Sequence, residues 1–237
     1  MMNLVRYRLS IARTLFFVLS AALIFFKPVF ALESQNFRFS VNHSGTDAGE
    51  LEINIEKQDK RYVITSTSHL SLVASLFLKG YESQTTFEQT DSGWALIQGR
   101  EKILGEEEVS KGFDVDTTAK TITFLSKDKI DFQPNEWVDA AAFPLVTLLS
   151  DFKNIKDGQQ LMEVRNKNAR RFKFESTVAD QIKVNDQLVD TWRIKRNRVG
   201  QQGSGVTIWV SQKDGLDILK IEVTKKGKKT VMVRTPS

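Results

Sequence analysis

The chain has 237 residues, no cysteine, two histidines and a formal charge of +5. The lack of cysteine excludes disulfide staples, thiolate catalysis and thiolate-bound metals. The first 31 residues hold Arg6, Arg8, Arg13 and Lys27 without an acid; taking these 4 from 34 leaves 30 basic against 29 acidic residues, a net of +1 for 32–237 that gives no charge argument for a nucleic-acid partner.

The N-terminal segment has the pattern of a secretory signal peptide. After the arginines, an apolar run from Leu15 to Phe26 has the ~7–15-residue length of a signal core and falls short of the ~20 needed to span a bilayer. Lys27-Pro28 breaks it, because proline lacks the amide donor that a continuing helix needs. Val29-Phe30-Ala31 then offers small side chains one and three residues before a cut at Leu32. The expectation is a signal peptide over 1–31, export to the periplasm, and no stable membrane span after cleavage. No cysteine follows the apolar run, so a lipid-anchored lipoprotein is excluded.

From there the chain alternates with period two, the mark of strands with one buried face. Phe37, Phe39 and Val41 share one face, and Leu51, Ile53 and Ile55 repeat the pattern after a glycine-bearing turn at 45–49. Arg61–Ser68 completes a three-stranded meander. Leu70–Lys79 departs from alternation and predicts a short, nearly all-apolar helix ended by Gly80. Further strands are expected over 81–90, 94–104, 106–116 and 120–127. Glu136–Phe152, with an alanine run and Pro144 inside it, predicts a second helix with a kink. Strands then run to the C-terminus, with hairpin turns at Asn185-Asp186-Gln187 and Lys226-Gly227-Lys228. The basic residues Arg165, Lys167, Arg170, Arg171 and Lys173 read as solvated hairpin positions.

About a dozen antiparallel strands with two short helical insertions must curl to bury their apolar face and protect their edges. The expected fold is a strongly curved antiparallel sheet or partly open β-barrel. No linker or change of composition divides 32–237, which therefore reads as a single β-rich domain.

The inventory for catalysis is thin. His43 and His69 have no partner histidine at metal spacing, so neither a metal site nor a cofactor site is expected. Gly203-Ser204-Gly205 lacks the spacing and the following helix of a nucleophile elbow. Glu106-Glu107-Glu108 cannot converge on one ion, because neighbouring strand residues point to opposite faces. Trp209 falls on the face opposite Val206, Ile208 and Val210. The apolarity of the two interruptions suggests a lid over a hydrophobic cavity, with Leu72, Leu76, Phe77, Val138, Phe143, Leu145, Leu148 and Trp209 as candidates for its lining.

The order of motifs adds a resemblance. A glycine-bearing hairpin (Gly45 to Gly49), the hairpin Val109–Asp116, an Asp-Ala-Ala segment from Asp139 to Leu149, the strand Val206–Asp214 and a closing hairpin Ile221–Gly227 succeed one another. Together they resemble the bacterial envelope family called domain of unknown function 3108, over roughly residues 35–235. The resemblance implies a β-fold and the cell envelope, and transfers no site residue. The resulting expectation is a non-enzymatic periplasmic protein that binds a hydrophobic or amphipathic envelope component, such as a lipid or a lipoprotein. A scaffold acting through an exposed edge is the second reading. An envelope hydrolase would need a cleft that gathers Asp139 with His69 or His43.

Overall fold

Alternation does set the first strands, β1 (Gln35–His43), β2 (Thr46–Gln58) and β3 (Arg61–Leu70). Phe37, Phe39, Leu51, Ile53, Ile55, Tyr62 and Ile64 are buried on one face, while their neighbours in sequence are more exposed. The structure, a computed structural model, describes residues 34–236 apart from 77, 92, 151 and 214–216. The signal-peptide segment 1–31 and the lining candidate Phe77 lie outside the described residues. Among those described, no helix is long and apolar enough to cross a membrane.

An antiparallel meander continues through β4 (Tyr81–Thr90), β5 (Gly93–Ile103), β6 (Val109–Asp116), β7 (Thr121–Phe124) and β8 (Lys129–Asp131). The C-terminal half contains β9 (Trp137–Ala140), β10 (Gln160–Arg165), β11 (Asn168–Phe174), β12 (Val178–Val184), β13 (Gln187–Arg198), β14 (Gly205–Ser211), β15 (Ile218–Lys225) and β16 (Lys228–Arg234). The halves join where β1 pairs with β16, at Val41 opposite Met232. One sheet of sixteen strands results, running from β8 through β1 and β16 to β9, with β12 added alongside β13. It is curved into a barrel-like form whose edge strands β8 and β9 do not pair.

Turn chemistry fixes the hairpins. Asn185 and Asp186 both have positive φ, as do Lys226 and Gly227, the geometry of two-residue turns that match strand twist. At Gly49, φ is +114° and a Cβ would lie 2.0 Å from the carbonyl oxygen of His69, so only glycine lets β2 pass β3 there.

The architecture is the curved, mainly β form with two short helices, but two interruptions differ in detail from expectation. The first helix, α1, is only Leu72–Ser75, because β3 runs on to Leu70. Glu136–Phe152 is not one kinked helix. Its first part is β9, which pairs in parallel with β10, and Ala141 N–H extends the pairing by donating to Val164 O (2.9 Å). Only Leu145–Leu149 is α-helical (α2), and Pro144 stands just before it. The physical reason is that proline disfavours helix in the residue before it, while Trp137 and Val138 suit a strand.

Candidate functional site

Side-chain volume changes along the inward face of the N-terminal strands. Tyr62 lies opposite Phe87, Ile64 opposite Thr85, and Ser66 opposite Ser83; Thr85 in turn faces Gly99 and Ser83 faces Glu101. Large rings thus give way to serine, threonine and glycine over a few residues. Where rings dominate, the lumen is filled: Phe143 lies 6.0 Å from Phe37 between ring centroids, and Leu145 and Leu148 of α2 are buried. Where small residues dominate, a cavity of about 520 Å³ remains. That is within the ~300–1,000 Å³ of small-molecule sites. Gly99 helps shape it, because a Cβ there would come within 2.4 Å of the Phe113 ring that lines the cavity.

The facing wall is apolar, from Val206, Ile208, Ile221 and Met232 of β14–β16. Ala140, Ala141, Ala142 and Pro144, between β9 and α2, supply another side. Half-buried Val41, Ala48 and Leu70 and exposed Glu50 mark a rim.

Three ionisable groups, Asp139, Glu163 and Arg196, are buried in the C-terminal half, and half-buried Arg165 joins them. Arg196 and Glu163 are 3% and 1% exposed, and Arg196 Nη2 donates to Glu163 Oε2 (2.7 Å). Arg165 donates from Nε and Nη2 to the other oxygen of Glu163, at 3.0 and 2.8 Å. Asp139, the parallel-strand partner of Glu163, is fully buried. Its carboxylate accepts from the amides of Ala140 (2.9 Å), Val146 (3.2 Å) and Thr147 (2.8 Å), so β9 holds the start of α2. Burial pushes its pKa up to about 6, against the opposing pull of the Thr147 amide, Arg196 and the other donors.

Polar side chains also tie the two halves together across the lumen. Asn166 Nδ2 donates to Ser83 Oγ (3.1 Å) and Glu101 Oε2 (3.0 Å), and Glu101 also pairs with Lys111. Nearer the unpaired edges, Arg171 donates to Glu136 Oε1 (3.0 Å) and to the carbonyl of Asp131 (3.0 Å). Of the basic stretch read as solvated, then, Arg165 reaches into the lumen and Arg171 straps the seam.

Of the expected lining residues that are described, none is on this cavity's wall. Leu72 and Leu76 are 84% and 74% exposed, beyond the rim residue Leu70. Phe143, Leu145 and Leu148 are buried in the packed end, and Val138 is half-buried on β9. The segment 138–149 borders the cavity through its alanines and Pro144, because its large side chains are consumed by the packing below. Trp209 is buried on the face away from Val206 and Ile208; its Nε1 donates to Asp180 Oδ2 (3.0 Å), and Lys220 Nζ lies 4.6 Å from its ring. Trp94 packs on Tyr62 and Trp137 on Phe174, so these rings serve the core.

The structure does not gather the residues a hydrolase would need. His43 Nδ1 shares a hydrogen bond with Thr230 Oγ1 (2.8 Å), His69 Nε2 faces Glu52 (3.8 Å), and the oxygens of Asp139 are taken by backbone amides. Among the described residues, no three His, Asp or Glu side chains converge as metal ligands. Sequence reasoning missed Glu163 and Arg196. Their signal is a charge inside the apolar run Leu161–Val164, and one in phase with the inward residues Trp192 and Ile194.

No family model and no curated protein matches the chain. Among solved structures it is similar to the crystal structure of a β-barrel-like protein of domain of unknown function DUF1849 from Brucella abortus. The TM-score is 0.55 at 8% identity, over 86% of this chain and 96% of that one. At that identity the likeness shows a shared β-barrel-like fold.

Proposed function

We propose that this is a non-enzymatic periplasmic protein, akin to the envelope family called domain of unknown function 3108, that holds a hydrophobic or amphipathic envelope component in its lumen. The observation that carries the reading is the 520 Å³ cavity with one apolar wall, created by small inward residues on β3–β5. Folding strands normally fill such a space, since protein interiors pack like organic crystals. A hollow lined by Ser66, Ser83 and Thr85 forgoes that packing, and occupancy by a ligand would supply it.

The test is direct. Organic extracts of natively purified protein, analysed by mass spectrometry, should contain a stoichiometric amphiphile. Delipidated protein should take up a fluorescent fatty-acid probe saturably, and Ser66→Phe, which fills the hollow, should abolish that uptake. A folded wild-type protein with no extractable ligand and no saturable uptake overturns the proposal.

A scaffold reading is favoured by one separate observation. Leu72, Val73, Leu76 and Leu78 are all exposed around α1, an apolar knuckle of the kind that marks interaction surfaces. This reading predicts recovery of a defined protein partner with the wild type, and its loss with Leu72→Asp/Leu76→Asp.

A further inference from the structure

Arg196 presents more hydrogen-bond donors than the protein occupies. A guanidinium carries five N–H donors, and burying one without acceptors is costly. Here Nη2 is held by Glu163, while Nε and Nη1 have no acceptor among the described residues. The side chain is 3% exposed and lies on the cavity wall between Phe174 and Val206, its strand partners, with Cζ 5.3 Å from the Phe172 ring. Nε and Nη1 are themselves almost inaccessible, and the cavity wall that the side chain helps to form is the side from which an acceptor would approach.

The formal charges nearby balance, Arg165 and Arg196 against Glu163 and Asp139, so the call for an acceptor comes from the unused guanidinium donors. Glu163 is shared by two arginines, Arg165 and Arg196. Glu101 is engaged by Lys111 and Asn166. Asp139 adds a buried carboxyl, but its oxygens are bonded to the amides of Ala140, Val146 and Thr147 and to neither arginine. Val206, Ile208, Ile221 and Met232 then provide an apolar track beside those unused donors.

We infer that the lumen selects a single-chain amphiphile with an oxyanion head, which accepts from Arg196 while its chain lies along the β14–β16 wall. This rests on the ligand-holding reading and specifies which ligands qualify. Carboxylate and phosphate heads offer the same acceptors to a guanidinium, so the chemistry is shared between a fatty acid and a phosphorylated lipid.

Displacement titrations on the delipidated protein separate the cases with four probes of equal chain length: hexadecanoate, hexadecyl phosphate, hexadecanol and hexadecyltrimethylammonium. One or both anions should bind about 10- to 100-fold more tightly than hexadecanol, as a hydrogen bond to a charged group warrants. The stronger of the two identifies the head. The cation should bind most weakly. Arg196→Met should erase the anion preference, bringing both anions to the affinity that the same variant shows for hexadecanol. Because that substitution strands Glu163, the double variant Glu163→Leu/Arg196→Met provides a second background in which the same loss is expected. Equal binding of hexadecanol and both anions to the wild type overturns this inference and leaves the carrier reading intact. Failure of all four probes overturns the carrier reading itself.

Discussion

The two ends of the lumen are built from the same strands and differ in what those strands point inward. At one end Tyr62, Ile64, Phe87 and Leu96 are buried, as are Phe37 and Phe143, which stack on each other, and little space is left around these rings. At the other, Ser66, Ser68, Ser83 and Thr85 occupy the equivalent inward positions, and the sheet stands off from its opposite wall. Tyr62 to Thr67 pair with β4 without a break, while the β4–β5 ladder shifts register once, between Thr86 and Phe87, where the two ends meet. The hollow is therefore written mainly in side-chain volume. Stability and binding can then be assigned to separate stretches of the same strands.

The sharpest break of that division is at the packed end. Phe143→Ala should cost about 3–5 kcal/mol, because a buried ring is removed from a region that cannot collapse around the gap. Urea unfolding monitored by circular dichroism would read this as a lowered midpoint with little change in slope. A comparable loss, again about 3–5 kcal/mol, is expected for Glu163→Leu, which strands Arg196 in the interior. The double variant Glu163→Leu/Arg196→Met should recover most of it, since removing both charges ends the desolvation penalty. If the single and double variants are equally unstable, the two charges are not coupled as their 2.7 Å bond implies.

The boundary between the ends is held by Asp139, and pH probes it. An acid with a folded pKa of about 6, against an ordinary 3.8, binds its proton more readily folded than unfolded. Its ionisation therefore costs no stability below pH ~3.8, and the full cost is present above pH ~6. Between these values the group should lower stability as pH rises, by at most about 1.4 kcal/mol per unit. Other carboxylates add slopes of their own, so the informative curve is the wild type minus Asp139→Asn. That difference should decline from pH 4 to pH 6.5 and then level. A flat difference would show that the three amide donors fully offset burial.

Much of this architecture is legible in the residues. Phe37-Phe39-Val41 and Leu51-Ile53-Ile55 alternate as strands do, and Asn185-Asp186 and Lys226-Gly227 are turn dipeptides. The chain's apolar face had to curl on itself, and it does. Trp209 was legibly opposite Val206 and Ile208 but was expected on the lining, because alternation separates the two faces without saying which of them turns to the lumen. What could not be read was register. Ser66 and Ser83 become a hollow only because β3 and β4 bring them opposite each other, and Glu163 meets Arg196 only because β11 alone stands between β10 and β13 in the sheet. The apolar runs at 70–79 and 136–152 misled for a physical reason. Apolarity marks burial or a contact surface without saying which, and one run became an exposed knuckle while the other became a parallel strand and a plug.

The smallest expected effect is at the hollow end and completes the contrast. Ser66 is 1% exposed, and its hydroxyl has no partner among the described residues. Ser66→Ala removes a buried polar group that makes no bond, so stability should hold or rise by up to about 1 kcal/mol. Phe143→Ala, a deletion from the packed rings, should do the reverse. The substitution deletes Oγ and adds no atom beside Ile53 and Ser83, the strand partners of Ser66. Should Ser66→Ala instead destabilise the protein by more than about 1 kcal/mol, the hydroxyl is engaged, and the serine-lined end is a bonded core like the aromatic one rather than a space kept open.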